Sequence, residues 1–226
     1  YTVDVSAEIL WSRSADIELV NEGCLALMPG ENCESYFAIE NLGNSRDTFE
    51  IKPSFNPNFL FTDGESKIIQ LERGESKFTE PFTISSFENV LAFESGNVTY
   101  DLIFADTKEI IKQIYVPVVI APEINWSLES LVDEVDAKGR LSIAMTLRND
   151  GNAIDGLIVQ LECSHSTQMS FIPPNNAIVE EGIELPRSFE INDLPLGSNF
   201  TIRAWADLPN DLSSNGTLYL NTSIRS

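Results

Sequence analysis

Histidine is almost missing from this 226-residue chain: there is one, His165, against three cysteines and three methionines. A lone histidine leaves a Ser/His/Asp relay without supporting partners, and Cys163 with His165 finds no second Cys/His pair to complete a zinc site. Basic residues are also scarce, 14 against 35 acidic ones, for a formal charge of −21. Without a Lys/Arg cluster the surface repels nucleic acid and anionic lipid, so neither is expected as a partner. No run of about 18 apolar residues occurs, so no membrane insertion is expected of this segment. No helical periodicity extends over ten residues or more, and no carboxylate pair stands out for glycoside chemistry. A non-enzyme is the expectation.

What is present is repetition. Glu8-Ile9-Leu10-Trp11-Ser12 returns 115 residues later as Glu123-Ile124-Asn125-Trp126-Ser127. Asn41-Leu42-Gly43-Asn44, with Asp47, returns 108 residues later as Asn149-Asp150-Gly151-Asn152, with Asp155. Two landmarks in one order at nearly one offset imply two copies of a single domain, drawn as residues 1–119 and 120–226. The junction Tyr115 to Pro122 is β-branched and proline-flanked, which suggests a stiff connection and a rod-like pair. Thr2-Val3-Asp4-Val5-Ser6 falls on Pro117–Ala121 in the longer register, so Tyr1 reads as a cut or processing point within a longer array, and strand exchange between subunits is one assembly route.

Inside each copy the period is two. Val98, Tyr100, Leu102 and Phe104 alternate with Thr99, Asp101 and Ile103, and Leu141, Ile143, Met145 and Leu147 with Ser142, Ala144, Thr146 and Arg148. Leu157, Val159, Leu161 and Cys163 repeat the pattern, as do Leu218, Leu220, Thr222 and Ile224. One apolar and one wet face is the signature of half-buried antiparallel strands. Turn residues at short spacing, such as Pro29-Gly30, Asp63-Gly64 and Arg73-Gly74, then predict an all-β fold of two tandem immunoglobulin-like β-sandwiches.

Candidate sites follow from what remains. Cys24 and Cys33 bracket a Pro-Gly turn in a stretch longer in copy one, and a disulfide there is geometrically plausible; two free thiols are the alternative. Cys163 continues an inward alternation and reads as a small buried hydrophobe. Five glycosylation sequons begin at Asn97, Asn125, Asn199, Asn215 and Asn221, against about three expected from composition. With a disulfide they lean toward an extracellular or cell-surface location. Trp11 and Trp126 serve either as buried packing or as a repeated aromatic platform for glycans. Gly43 and Gly151 are expected at positive φ in tight turns, with the flanking asparagines satisfying turn backbone. No cofactor is required; calcium is the one considered, on Asp133, Glu134 and Asp136, with Glu180-Glu181 and Asp207 with Asp211 as further acidic groups.

The Asn-x-Gly-Asn elements, with the following strand through Phe49 and the upstream Pro29-Gly30-Glu31 of copy one, resemble the prokaryotic cell-surface Ig-like modules of the CARDB and NPCBM-associated type. Copy two carries Ala137-Lys138-Gly139-Arg140 in place of the Pro-Gly-Glu turn. The resemblance implies an adhesion or spacer module of a secreted or envelope protein, with neighbouring repeats or surface-protein subunits as partners. It carries no catalytic residue across.

Overall fold

A computed structural model describes residues 10–135, 139–164, 167–208 and 220–225. Tyr1, His165, Asp136, Asp211, Asn215 and the side chain of Asn221 lie outside the described residues. The described chain is all β, in antiparallel sheets with one parallel pair. It divides into two compact units, Tyr1–Ala121 and Pro122–Ser226.

Unit 1 holds β1 (Ala15–Leu19), β2 (Cys24–Leu27), β3 (Asn32–Ser35), β4 (Phe37–Asn41), β5 (Asp47–Phe55), β6 (Leu60–Thr62), β7 (Lys67–Leu71), β8 (Ser76–Phe78), β9 (Phe82–Ser86), β10 (Ser95–Phe104) and β11 (Ile110–Ile120). One layer is the five-stranded sheet β2-β11-β10-β5-β7; the other comes in two pieces, β1-β4-β8 and β3-β9-β6. Ile17 and Ile39 from one layer meet Phe49, Ile51, Leu102 and Val116 from the other in a single buried cluster. Phe37, Phe82 and Tyr100 lock its centre, with ring centroids 4.9–5.5 Å apart. Alternation along β10 buries Val98, Tyr100, Leu102 and Phe104 as expected.

The wet face expected for β10 is absent: Thr99, Asp101 and Ile103 are buried too. β10 is flanked on both sides, and its polar outer face is covered by neighbours. The Asp101 carboxylate accepts from Ser54 Oγ (3.0 Å) and Gln113 Nε2 (2.8 Å), reaching in from β5 and β11. A buried carboxylate persists where donors replace its water.

The first strand of unit 1 changes layer. β1 pairs with β4, then the chain crosses at Val20–Gly23 and β2 pairs in parallel with β11. Gly23 makes the crossing at φ +85°, where a Cβ would stand 2.7 Å from the Pro117 carbonyl oxygen. The Cys24–Cys33 disulfide, Cα atoms 6.0 Å apart, ties β2 to β3 and so joins the two layers.

Unit 2 is simpler. It holds β12 (Trp126–Val135), β13 (Arg140–Asn149), β14 (Asp155–Cys163), β15 (Met169–Ile172), β16 (Ser188–Leu194), β17 (Asn199–Asp207) and β18 (Leu220–Arg225). The sheets are β12-β13-β17-β15 and β16-β14-β18. Leu157, Val159 and Leu161 pack with Phe171, Phe189, Phe200 and Ile202 in its core, and Cys163 lies partly buried beside them as a free thiol. The expected inward set on β13 is filled only at Leu147; Met145, Ile143 and Leu141 are half-buried.

Candidate functional site

The two Asn-x-Gly-Asn landmarks build the same corner. Asn41, 1% exposed, closes β4 and turns its amide inward. Its Nδ2 donates to the carbonyls of Ser45 (2.9 Å) and Leu71 (3.1 Å), and its Oδ1 accepts from Gly43 N (2.9 Å). Asn149 does the same with Ala153 O (3.0 Å), Leu194 O (3.2 Å) and Gly151 N (3.0 Å). Each amide satisfies two carbonyls and one backbone N–H at a corner where the asparagine itself is 1% exposed.

The second asparagine of each landmark grips the entering chain. Asn44 N donates to Ser12 O and Ser12 N returns to Asn44 Oδ1, both at 3.0 Å, while Asn44 Nδ2 reaches Leu10 O at 2.7 Å. In unit 2, Asn152 N donates to Glu123 O (3.1 Å) and Glu123 N to Asn152 Oδ1 (2.7 Å). Gly43 and Gly151 are not at positive φ, contrary to the sequence expectation. They are glycine because the entering strand passes over them: a Cβ would lie 2.9 Å from Ser12 O on Gly43 and 2.3 Å from Glu123 O on Gly151.

These partners also reset the repeat. Ala15 pairs with Asn41 and Trp126 with Asn149, so the structural offset of the first strand is 126 − 15 = 111 residues, not 115. Trp11 and Trp126 are therefore not equivalent, and the Glu-Ile-x-Trp-Ser words sit four residues out of structural register. Trp126 packs against the second core and its Nε1 donates to Asp155 Oδ2 at 2.9 Å. Trp11 is 64% exposed, with Nε1 donating to Ser45 Oγ.

Asp47 and Asp155, each opening its strand, take different partners. In unit 1 the guanidinium of Arg13 grips Asp47 through Nε (2.7 Å) and Nη2 (2.8 Å) and Asp106 through Nη1 (3.1 Å) and Nη2 (2.8 Å). It lies 4.0 Å over the Phe104 ring and 4.9 Å from that of Trp11. Hydrogen bonds to Asp47, then Asp106, raise Arg13 above its ordinary pKa; Arg13 in turn lowers that of Asp106. The Asp47 pair is bidentate and largely buried, while Asp106 stays exposed; paired in this way the guanidinium is fixed in orientation. No local pattern marks Arg13, since its two acids lie 34 and 93 residues away. A shallow depression of about 570 Å³ opens beside it, lined by Arg46, Asp47, Thr48, Gln70, Ala105 and Asp106.

The other sequence candidates are scattered. Asp133 pairs opposite Ile143 and Glu134 opposite Ser142, so successive carboxylates of β12 point to opposite faces and do not share one ion. Among the described residues no three His, Cys, Asp or Glu side chains cluster to hold a metal. Asn97, Asn125 and Asn199 are exposed. The disulfide belongs to an oxidising, non-cytoplasmic environment. No helix among the described residues is long and apolar enough to cross a membrane.

No family model matches the chain, and no curated protein matches it. Among solved structures it is similar to a protein of unknown function from Porphyromonas gingivalis W83 (12% identity, 84% of this chain and 83% of that one, TM-score 0.33). A chain of the chaperone–tip adhesin complex of CFA/I fimbriae aligns at 17% identity over 93% of this chain and 92% of that one, TM-score 0.30. The secreted serine protease VesC from Vibrio cholerae aligns at 10% identity over 94% of this chain and 51% of that one, TM-score 0.29.

Proposed function

We propose that the chain is a non-enzymatic segment of an extracellular protein, two Ig-like β-sandwiches that act as a structural spacer, adhesion or assembly module. One observation supports the reading: in both units the first asparagine of the repeated Asn-x-Gly-Asn is spent on backbone of the corner itself, and the second on pinning the entering strand to that corner. A side chain fully hydrogen-bonded to backbone has nothing left to offer a substrate. A clamp at the point where the chain enters resists the pull that a series of linked modules transmits. The layer-spanning disulfide of unit 1 adds a covalent stop at Cys24–Cys33.

Pulling the chain from both ends in a force spectrometer tests this. Asn44→Ala and Asn152→Ala should each lower the unfolding force of one unit and leave the other's unchanged. Equal forces in wild type and both variants would remove the mechanical reading. A carbohydrate-binding reading is favoured by one feature, the exposed Trp11 ring beside Arg13. Reproducible glycan-array binding that disappears in Trp11→Ala and survives in Trp126→Phe would support it.

A further inference from the structure

β5 changes face at its end. Ile51 pairs with Leu102 and Pro53 with Tyr100, both inward residues of β10, so plain alternation would send Phe55 toward the core as well. A bulge leaves Ser54 without a partner of its own and sets Phe55 opposite Thr99, an outward position. Tyr115 lies opposite Thr99 from the other side, on β11. Phe55 is 61% exposed and Tyr115 56%, while Thr99 between them is 8% exposed. With neighbouring strands about 4.8 Å apart, the two rings rise from backbone positions about 10 Å apart. Lys52, Ser54 and Gln113, all exposed, border them with hydrogen-bonding groups. Ring faces beside polar tips suit a ligand with an apolar face and a hydroxylated rim, which is the build of a sugar.

The same strand carries an acceptor for one. Asn97-Val98-Thr99 is a sequon, and Asn97 stands exposed on the face of Thr99, two residues or about 7 Å along β10. The chain leaving β5 passes on the other side: Pro57 crowds Gly96, where a Cβ would meet its Cγ at 2.8 Å. The other described sequons have no such rings opposite them. Asn199 sits opposite Arg148 with its Thr201 hydroxyl 3.0 Å from that of Thr146, and Ser127 of the Asn125 sequon also faces Arg148. We propose that Asn97 carries an N-linked glycan whose first sugars lie across Phe55 and Tyr115. In the attachment Asn97 Nδ2 bonds to the anomeric carbon of a sugar donated as a diphosphate ester. The bond from that carbon to the diphosphate breaks, the diphosphate leaves with the electron pair, and the amide releases one proton. Val98 and Thr99 are buried in the fold, so the sequon is read before β10 pairs and the sugar is laid on the sheet as unit 1 closes. The proposal goes beyond the spacer reading and stands on β5, β10 and β11 alone, so unchanged unfolding forces in the asparagine variants would leave it standing.

Secretion of the full 226-residue chain from cells that glycosylate such sequons, followed by peptide mass mapping, tests the attachment: Asn97 should be occupied. Tyrosine nitration then tests the cover. Tyr115 should react several-fold more slowly in the glycosylated chain than in Asn97→Gln, while Tyr36, 36% exposed and away from this face, reacts alike in both. Urea titration gives a second measure. The glycan should raise the midpoint of unit 1 above that of Asn97→Gln, and the rise should vanish in Phe55→Ser/Tyr115→Ser, which keeps the acceptor and alters only exposed side chains. An unoccupied Asn97 overturns the proposal. So does an occupied Asn97 beside a Tyr115 that reacts as fast as in the variant, which would leave the glycan standing in solvent. A rise in midpoint of equal size without the two rings overturns it as well.

Discussion

Asn41 gives the sharpest test of the corner. Asn41→Ala removes three hydrogen bonds at 2.9, 3.1 and 2.9 Å and strands two carbonyls and one amide where the side chain is 1% exposed. At about 1 kcal/mol net for each bond, the loss is about 3 kcal/mol. With a urea slope of about 1.5 kcal/mol/M, the midpoint of unit 1 falls by about 2 M. Asn41→Asp, nearly the same shape, should be worse at neutral pH. It keeps the acceptor for Gly43 but turns an oxygen toward two carbonyl oxygens and buries a charge, for about 4–5 kcal/mol. Its folded-state pKa is then raised, so the protonated form is the one the fold tolerates, and stability should recover as the pH falls through that raised value, the recovery being complete at the ordinary carboxylate value. Urea titration followed by amide exchange assigns the change to a unit: β4 and β10 should lose protection while β13 and β17 keep theirs. The reasoning fails if Asn41→Ala costs under about 1 kcal/mol, or if the Asp variant is the more stable of the two at neutral pH.

Opening the disulfide by a Cys24→Ala/Cys33→Ala pair should cost unit 1 about 2.6 kcal/mol, from the entropy of a loop with sequence separation 9, read as a lower midpoint in urea and no change in unit 2. Tyr100→Phe should stabilise unit 1 by about 1 kcal/mol in the same titration, because the buried Tyr100 hydroxyl has no hydrogen-bond partner among the described residues. The hydrogen bond from Lys112 lowers the pKa of Asp16, that from Lys108 lowers Glu50, and that from Arg13 lowers Asp106. Their stabilisation is therefore full above about pH 4–5 and lost as the pH falls through the depressed folded values; amide exchange in β1 and β5 at constant ionic strength should quicken there.

Much of the fold was legible because alternation is a local property. Val98 through Phe104 and Leu157 through Leu161 report one buried face whatever surrounds them. What sequence could not report was the second side. Thr99 and Asp101 look solvent-facing until Ser54 and Gln113 are seen to reach across to them. The disulfide was legible from two cysteines around one turn; that it joins two layers was not, because the crossing at Gly23 depends on Pro117, 94 residues later. The tryptophan words were the most conspicuous repeat and the least faithful. Trp11 and Trp126 share neighbours in sequence but not in register, and the less conspicuous asparagines kept the true alignment. At the corner, Asn and Gly announced a turn; only the backbone passing above Gly43 explains why glycine is required.

The crossing of the first strand has a consequence for how the chain is made. Cys24 in β2 lines up with Val118 in β11, so the second layer of unit 1 cannot be completed until its last strand has left the ribosome. The link from that same residue to β3 is different in kind: Cys33 is only nine residues from Cys24 and can be joined almost as soon as both emerge. Oxidation can thus hold the β2–β3 turn in place during the long wait for β11. Unit 2 has no such delay at its start, since β12 pairs antiparallel with β13, the next strand along the chain. The two halves of one polypeptide are therefore timed differently, the first waiting on its own end and the second able to begin at once.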